Sequence, residues 1–429
     1  MQSSDNPQSE IPNPKFSEAF KFWLKLGFIS FGGPAGQIAL MHKELVERKK
    51  WIDDESFLHA LNFCMLLPGP EAQQLATYNG WKMHGIKGGI VAGVFFVLPS
   101  VFILLALSYI YARFGNVAEV SAILDGLKAV VVAIVVEAVI KIGKKAFKGW
   151  FSVLIAALSF IAIFVFHVPF PLIILGAGLL GFLYSKFRIS DSKLEENAEK
   201  TKTKNQKPKT KIIKIIIVFV ILWLIPFLST GFAFGFNNLA TRIYLFFTQT
   251  AFVTFGGAYA VLAYVNQAVV ESFGWLTTQQ AIDGFALAET TPGPLIMVLQ
   301  NIGFIAGWNN SGETNQTFYA IICALLATYA TFLPSFMFIF IGAPYIEKLR
   351  GNQSLSSALS GVTAAVVGVI LNLAIVFGAT VIFPEFQTNF FALGLAIASF
   401  LALYFLKPDV LYIIFFGGLC GLAKLFLLG

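Results

Sequence analysis

Pro-Gly-Pro occurs twice inside apolar sequence, at Pro68-Gly69-Pro70 and at Pro292-Gly293-Pro294. No regular helix runs through this tripeptide. Two amide donors are missing, and the residue before each proline is pushed out of the α region. The flanking segments are long and greasy enough to lie in a bilayer. The 429 residues are 57% hydrophobic and 12% charged, with a mean hydropathy of +0.76; soluble domains carry about 25% charged residues. Backbone broken at membrane depth is tolerated only where protein buries it or where it lines a wet cavity. The expected fold is therefore an all-α polytopic membrane protein, and the duplicated break points to a site for a polar solute in the lipid bilayer.

Composition excludes several other classes. The net charge of +7 fits lysine and arginine in cytoplasmic loops better than a nucleic-acid surface. Cys64, Cys323 and Cys420 are scattered through apolar segments, and His42, His59, His84 and His167 form no ligand pair, so neither a metal nor a cofactor is expected. Residues 1–15 are polar, contain proline and have no apolar core, and read as a disordered tail rather than a signal peptide. There is no GxxxxGK[ST] phosphate loop, so any transport must run on an ion gradient or on the solute's own gradient. No reactive constellation marks an enzyme.

Residues 188–211 are rich in lysine, glutamate, serine and threonine. They read as a charged cytoplasmic linker between a first transmembrane repeat at 16–187 and a second at 212–429. The halves are a duplication. Phe31-Gly32-Gly33 matches Phe255-Gly256-Gly257, Trp51 matches Trp275, and the two Pro-Gly-Pro strings match, all at one offset of 224. Leu98-Pro99-Ser100 matches Leu333-Pro334-Ser335, and Gly126 matches Gly361, at an offset of 235. The cap logic also repeats: Asp53 with Ser56 stands where Thr277 and Gln280 can form a capping box.

The charges do not repeat. Lys43, Arg48, Lys49 and Lys50 crowd one loop, whereas residues 267–274 hold no basic residue. The positive-inside rule then places the two loops on opposite sides and favours inverted-topology repeats. Helix counting leaves the matter open. A re-entrant hairpin at 52–81 gives parallel halves, and a single broken crossing gives antiparallel ones.

The Phe-Gly-Gly turns and the Pro-Gly-Pro breaks are the candidate site. Glycine permits positive φ and close backbone approach. Helices starting at Glu71 and Leu295 leave amide donors unpaired, and two such ends meeting near the midplane favour an anion. Carbonyls at the preceding helix ends can instead take a cation, and the spacing does not decide between them. Glu71 and Glu289 are intramembrane carboxylates, a functional expectation by default, and are the proton-coupling candidates; a structural cap is the plain alternative for Glu71. Gln73, Gln74, Thr290 and Thr291 can supply neutral hydrogen bonds. Glu137 and Lys141 pair along one helix, with Asn372 at the Glu137 position of the second half. Gly85, Gly89 and Gly93, and Gly303 with Gly307, read as helix packing. Lys21, Lys25, Arg113, Lys128 and Arg242 are the basic residues that can meet an anion, the plain alternative being that most sit near predicted helix ends and snorkel to the interface.

Phe31-Gly32-Gly33-Pro34 with Gln37, and Leu67-Pro68-Gly69-Pro70-Glu71-Ala72-Gln73-Gln74-Leu75-Ala76, resemble the first half of the chromate transporter family. Phe255-Gly256-Gly257-Ala258-Tyr259 and Glu289-Thr290-Thr291-Pro292-Gly293-Pro294 resemble its second half. The resemblance covers nearly the whole chain, in the two-domain long-chain form. It implies a proton-motive-force-driven exporter of chromate in the cell membrane, conferring chromate resistance, with sulfate as a competitor of the same shape and charge. It also implies two oppositely oriented halves. The family's motif positions would fall here at Gly32, Gly33, Pro34, Pro68, Gly69, Pro70, Glu71, Gly256, Gly257, Pro292, Gly293 and Pro294. One departure is visible: Pro294 is followed by Gly303 one residue sooner than Pro70 is by Gly80.

The combined expectation is a secondary transporter that exports an oxyanion such as chromate in exchange for protons. Its substrate site comprises Gly32, Gly33, Pro34, Gly69, Pro70, Glu71, Gln74, Gly256, Gly257, Thr291, Gly293 and Pro294. An anion uptake system for sulfate, or an anion channel, is the alternative. Oligomeric state is not encoded in these features, a homodimer being one option.

Overall fold

The computed structural model describes residues 14–191, 209–255, 257–343 and 353–428. The start of the expected tail, most of the expected linker and Gly256 lie outside the described residues. Among those described there are helices and turns and no strand. Five helices are long and apolar enough to cross a membrane, in keeping with a multi-pass membrane protein.

Each half opens with two broken hairpins. Helix α1 (Phe16–Ile29) ends at Ser30, and α2 (Gly33–His42) starts after Gly32 turns the chain at φ +84°. The apolar stretch from Phe16 to Met41 is thus two antiparallel pieces. The base of this hairpin closes where Lys49 Nζ lies 3.4 Å from Glu18 and 4.3 Å from the centre of the Trp51 ring. The second hairpin pairs α3 (Asp54–Cys64) with the first part of α4 (Glu71–Phe114), and Pro-Gly-Pro forms its tip. Asp53 caps α3, accepting from the Ser56 amide at 2.7 Å, and His42 Nε2 lies 2.6 Å from Asp54. The return arm ends at His84, whose Nε2 donates to the Pro14 carbonyl at 2.8 Å. Both hairpin bases therefore sit at one end of the molecule. Residues 52–81 form a hairpin, not a crossing.

At His84 and Gly85 (φ +61°) the backbone leaves helical geometry, and α4 then continues as a long second section. Gly85 has no atom within 4 Å of where a Cβ would stand, so it serves the turn and not packing. Gly89 and Gly93 do pack, on Phe340 and on Thr77 and Phe336. Helices α5 (Ala118–Ala146), α6 (Trp150–Phe164) and α7 (Phe170–Asp191) complete the half.

After α8 (Lys209–Phe234), the plan repeats with α9 (Leu239–Val253), α10 (Ala258–Asn266), α11 (Thr278–Glu289) and α12 (Val298–Asn309) as the two hairpins. The capping box forms as expected, with Thr277 and Gln280 exchanging bonds of 3.2 and 3.1 Å. Helix α13 (Gln316–Gly342) corresponds to the second section of α4, and α14 (Gln353–Ile382) to α5. Helices α15 (Phe390–Leu401) and α16 (Val410–Leu428) match α6 and α7.

The centre is built from the two duplicated long helices. Residues 129–135 of α5 and 364–370 of α14 carry small and β-branched side chains and are almost all buried. Each packs on the last helix of the other half. A Cβ on Gly126 of α5 would strike the Gly417 carbonyl of α16, and one on Gly361 of α14 would strike the Ala177 carbonyl of α7. Gly421 and Gly181 repeat this reciprocity against Ala122 and Ser357. The halves are interlocked, and their crossings depend on glycine at matched positions.

Candidate solute site

The Gly-Gly and Pro-Gly-Pro breaks meet across the halves. Ser30 and Thr254 occupy equivalent positions, one residue before each Phe-Gly-Gly. Each hydroxyl donates back to its own helix, Ser30 to the Leu26 carbonyl at 2.7 Å and Thr254 to the Thr250 carbonyl at 2.6 Å. Their main-chain carbonyls accept from the other half: the Gly69 amide donates to Thr254 at 2.9 Å, and the Gly293 amide to Ser30 at 2.7 Å. Gly69 (φ +121°) and Gly293 (φ +95°) adopt backbone that side-chain-bearing residues rarely reach. The Ser100 hydroxyl donates to the Pro292 carbonyl, and Gln37 Nε2 donates to the Gly293 and Ser30 carbonyls. Gln74 Nε2 donates to the Pro68 carbonyl at 2.7 Å.

These bonds change what the Pro-Gly-Pro glycines can do. Their amides are engaged by protein carbonyls, because a broken backbone in an apolar setting must satisfy its polar groups internally. Gly69, Pro70, Gln74, Thr291, Gly293 and Pro294 form the frame and do not border the central cavity. Thr291 bonds its own helix end, donating to the Ala288 carbonyl at 2.8 Å. The start of the second return arm, Leu295–Met297, is a buried 3-10 turn, also away from the cavity.

The cavity itself has a volume of about 320 Å³. Gly32, Gly33 and Pro34 border it from the first half and Gly257 from the second, together with Glu71 and Glu289. Gly256 is outside the described residues. Glu71, the first residue of α4, brings Oε1 to 4.0 Å from where a Cβ on Gly257 would stand. The carboxylate of one half therefore faces the glycine turn of the other. Glu289 ends α11 and accepts from the Tyr259 hydroxyl at 3.4 Å. Its equivalent in the first half, Met65, also borders the cavity. Helix α5 adds Glu137, Lys141 and Lys145 to the wall, with Lys141 and Glu137 4.0 Å apart. A larger polar cavity of about 850 Å³ shares Gly32, Ala35, Glu137 and Lys141 with it, and is also lined by Lys144, Tyr404, Lys407 and Asp409.

Of the expected site residues, the structure thus brings Gly32, Gly33, Pro34, Glu71, Gly257 and Glu289 to one chamber. Lys145 carries no signal of its own in the sequence, where it stands close to Lys144 and Lys148 at the end of an apolar stretch. The Ser100 contact had a signal, since Leu-Pro-Ser repeats in both halves.

Of the other basic candidates, Lys128 pairs with Asp125 at 2.8 Å and lies 3.7 Å from Asp283, which accepts from the Tyr111 hydroxyl at 2.9 Å. Arg242 stacks over Phe273 and Trp275. Among the described residues no cluster of three metal-ligating side chains occurs.

Duplicated membrane hairpins whose broken tips interlock around a chamber holding both carboxylates and lysines define a polytopic protein of the transporter class. The chain belongs to the chromate transporter family, whose model matches residues 17–182 and 241–422. It is 30% identical over 434 residues to the chromate transport protein of Pseudomonas aeruginosa, covering 98% of this chain and 95% of that one. It is 30% identical over 383 residues to a probable chromate transport protein of Synechococcus elongatus, covering 88% of each. The uncharacterized transporter YwrA of Bacillus subtilis matches 38% of this chain over 94% of its own length at 29% identity, so a protein about one half long exists. No solved structure matches the chain.

Proposed function

We propose that this protein exports chromate, or a tetrahedral dianion of the same shape, from the cytoplasm across the cell membrane, driven by the proton motive force. The observation that carries the reading is the chamber itself. Glycine turns from both halves, two carboxylates and two lysines of α5 surround a volume suited to a small solute, at the place where irregular backbone is permitted. The family relatives named for chromate transport support the choice of cargo. Gly32, Gly33, Pro34 and Gly257 shape the site, and Glu71 and Glu289 carry the exchanged protons. Gly69 and Gly293 hold these groups in place through the cross-half bonds, and Pro70, Gln74, Thr291 and Pro294 shape the hairpin tips around them.

The two halves are inverted repeats in this reading, with the bounds 16–187 and 212–429 and a linker at 188–211. The bases of the first two hairpins lie with Lys43, Lys49 and Lys82 at one end. The bases of the second pair meet the far ends of the earlier helices: His167, at the α6–α7 turn, lies 3.9 Å from Glu271, and Trp308 packs on Tyr109 of α4. Helix α8 supplies the odd crossing, which restores inversion although both broken segments are hairpins. The basic end is cytoplasmic by the positive-inside rule.

Uptake of labelled chromate into everted vesicles, with and without a proton gradient, tests the reading, alongside chromate sensitivity of expressing cells at raised sulfate. Gradient-driven accumulation that Glu71→Gln weakens, with normal membrane insertion, is expected. Flux indifferent to the gradient points to a channel, and accumulation only in right-side-out vesicles points to uptake.

A further inference from the structure

The larger cavity is lined by three lysines against two carboxylates, and its lysines come from separate elements. Lys141 and Lys144 project from α5, and Lys407 from the turn between α15 and α16. Lys145 stands on the rim of the inner chamber. Two of these cations are anchored. Lys144 Nζ donates to the Tyr404 hydroxyl at 3.0 Å and lies 4.8 Å from the centre of its ring, and Lys141 is 4.0 Å from Glu137. Lys145 and Lys407 have no carboxylate within 4 Å among the described residues. The acidic groups Glu71 and Glu289 lie deeper, in the chamber. A solute moving inward from this side meets cations first.

The duplication shows that this arrangement is one-sided. At the offset of 235 that relates α5 to α14, Lys141, Lys144 and Lys145 correspond to Val376, Ala379 and Thr380. Helices α7 and α16 are related by an offset of 240, which pairs Ala177 with Gly417 and Gly181 with Gly421, and at that offset Lys407 corresponds to His167. The backbone equivalence is close: His167 and Lys407 both sit at positive φ, +50° and +52°. The fold has been kept at these four places while the charge has not.

We propose that Lys141, Lys144, Lys145 and Lys407 form an anion-collecting funnel on one face only, so that the protein binds its oxyanion more tightly from that face than from the other. This rests on the export reading, in which the funnel opens to the cytoplasm, and deepens it by naming the residues that set sidedness. A cleft lined by one sign of charge raises the local concentration of the opposite ion by about 10- to 1000-fold. The lower part of that range applies here, since Glu137 and Asp409 oppose the lysines. Unequal affinity adds no driving force. It sets the concentration at which each face saturates.

The test measures KM for labelled chromate at each face, using right-side-out and inside-out vesicles of the full chain. The expected wild-type KM is about tenfold lower at the funnel face, and raised salt narrows the gap. Lys141→Gln/Lys145→Gln/Lys407→Gln brings the funnel-face KM up to that of the opposite face, and the matching arginine variant retains the asymmetry. Equal KM values at the two faces of the wild type, or an unchanged gap in the glutamine variant, overturn the funnel. Should the triple variant fail to reach the membrane, Lys145→Gln and Lys407→Gln singly make the same comparison. If wild-type protein moves no chromate from either face, the export reading falls; the funnel is then judged by direct sulfate binding to purified protein. Binding lost in the glutamine variant and kept in the arginine variant sustains it, and equal binding removes it.

Discussion

Gly293→Ala and Ser100→Ala form a double-mutant cycle that reads the interlock between the halves. Gly293 holds φ +95°, and a Cβ there would run into the Ser100 hydroxyl, with Ser100 Cβ at 3.1 Å and the Phe96 carbonyl at 3.4 Å. Two costs follow for Gly293→Ala: about 1–3 kcal/mol for a non-glycine residue in that backbone region, and about 1–3 kcal/mol for overpacking. Ser100→Ala removes the bond to the Pro292 carbonyl, a loss of about 0.5–1.5 kcal/mol. In the double variant the hydroxyl that the new methyl strikes is gone, while the backbone strain and the lost bond remain. The cycle should therefore show about 1–3 kcal/mol of rescue relative to the sum of the singles. Denaturant unfolding in detergent micelles, followed by tryptophan fluorescence, measures it. Additivity within about 0.5 kcal/mol would refute the contact. The equivalent cycle with Gly69→Ala and Ser335→Ala provides a graded control. A Cβ on Gly69 would stand 2.6 Å from the Ser335 hydroxyl but also 2.7 Å from Gln74 Nε2, so Ser335→Ala relieves only part of the crowding and its rescue is smaller.

Lys128→Met leaves buried Asp283 with only its Tyr111 bond and should destabilise by about 3–5 kcal/mol; adding Asp283→Asn should recover most of that in the same unfolding assay. Gly361→Leu and Gly126→Leu each force a side chain onto a carbonyl of the facing helix, so both should lower the thermal midpoint by similar amounts, whereas Gly378→Leu, with open space around it, should leave it nearly unchanged. Thr277→Ala breaks the capping box of α11 and should cost about 1 kcal/mol, read as faster hydrogen exchange confined to the first turn of α11.

Much of this architecture was legible because breaks are encoded locally. Proline and glycine impose their geometry whatever surrounds them, so the hairpin tips, the register of the duplication and the caps at Asp53 and Thr277 all follow from residue type and spacing. Partnership across the halves is not local. The offset of 224 makes Ser30 and Thr254 equivalent, but nothing in it says that each accepts from the other half's glycine and so removes Gly69 and Gly293 from direct contact with solute. Gly85 shows the converse error. Its spacing with Gly89 and Gly93 fits a packing stripe, yet it lies at the corner where α4 turns, and a positive φ rather than a neighbour explains it. The helix parity problem also had a local source: the Phe-Gly-Gly segment reads as one apolar element, and only the pairing of Lys49 with Glu18 shows it folding back.

The charge of the cargo bears on how such a chamber can work. For a dianion leaving a cell whose interior is negative, each 100 mV of membrane potential contributes about 4.6 kcal/mol, twice the single-charge value. At about 1.4 kcal/mol per tenfold, that alone sustains a gradient of roughly three orders of magnitude. In the proposed exchange, protons carried inward on the return step add their own share of the proton motive force to this. There Glu71 and Glu289 carry the protons as the empty chamber returns, intramembrane carboxylates being suited to such a relay. In this scheme the glutamates reset the empty carrier and the lysines of α5 load it. Glu71 and Glu289 and the α5 lysines Lys141 and Lys145 line the same chamber.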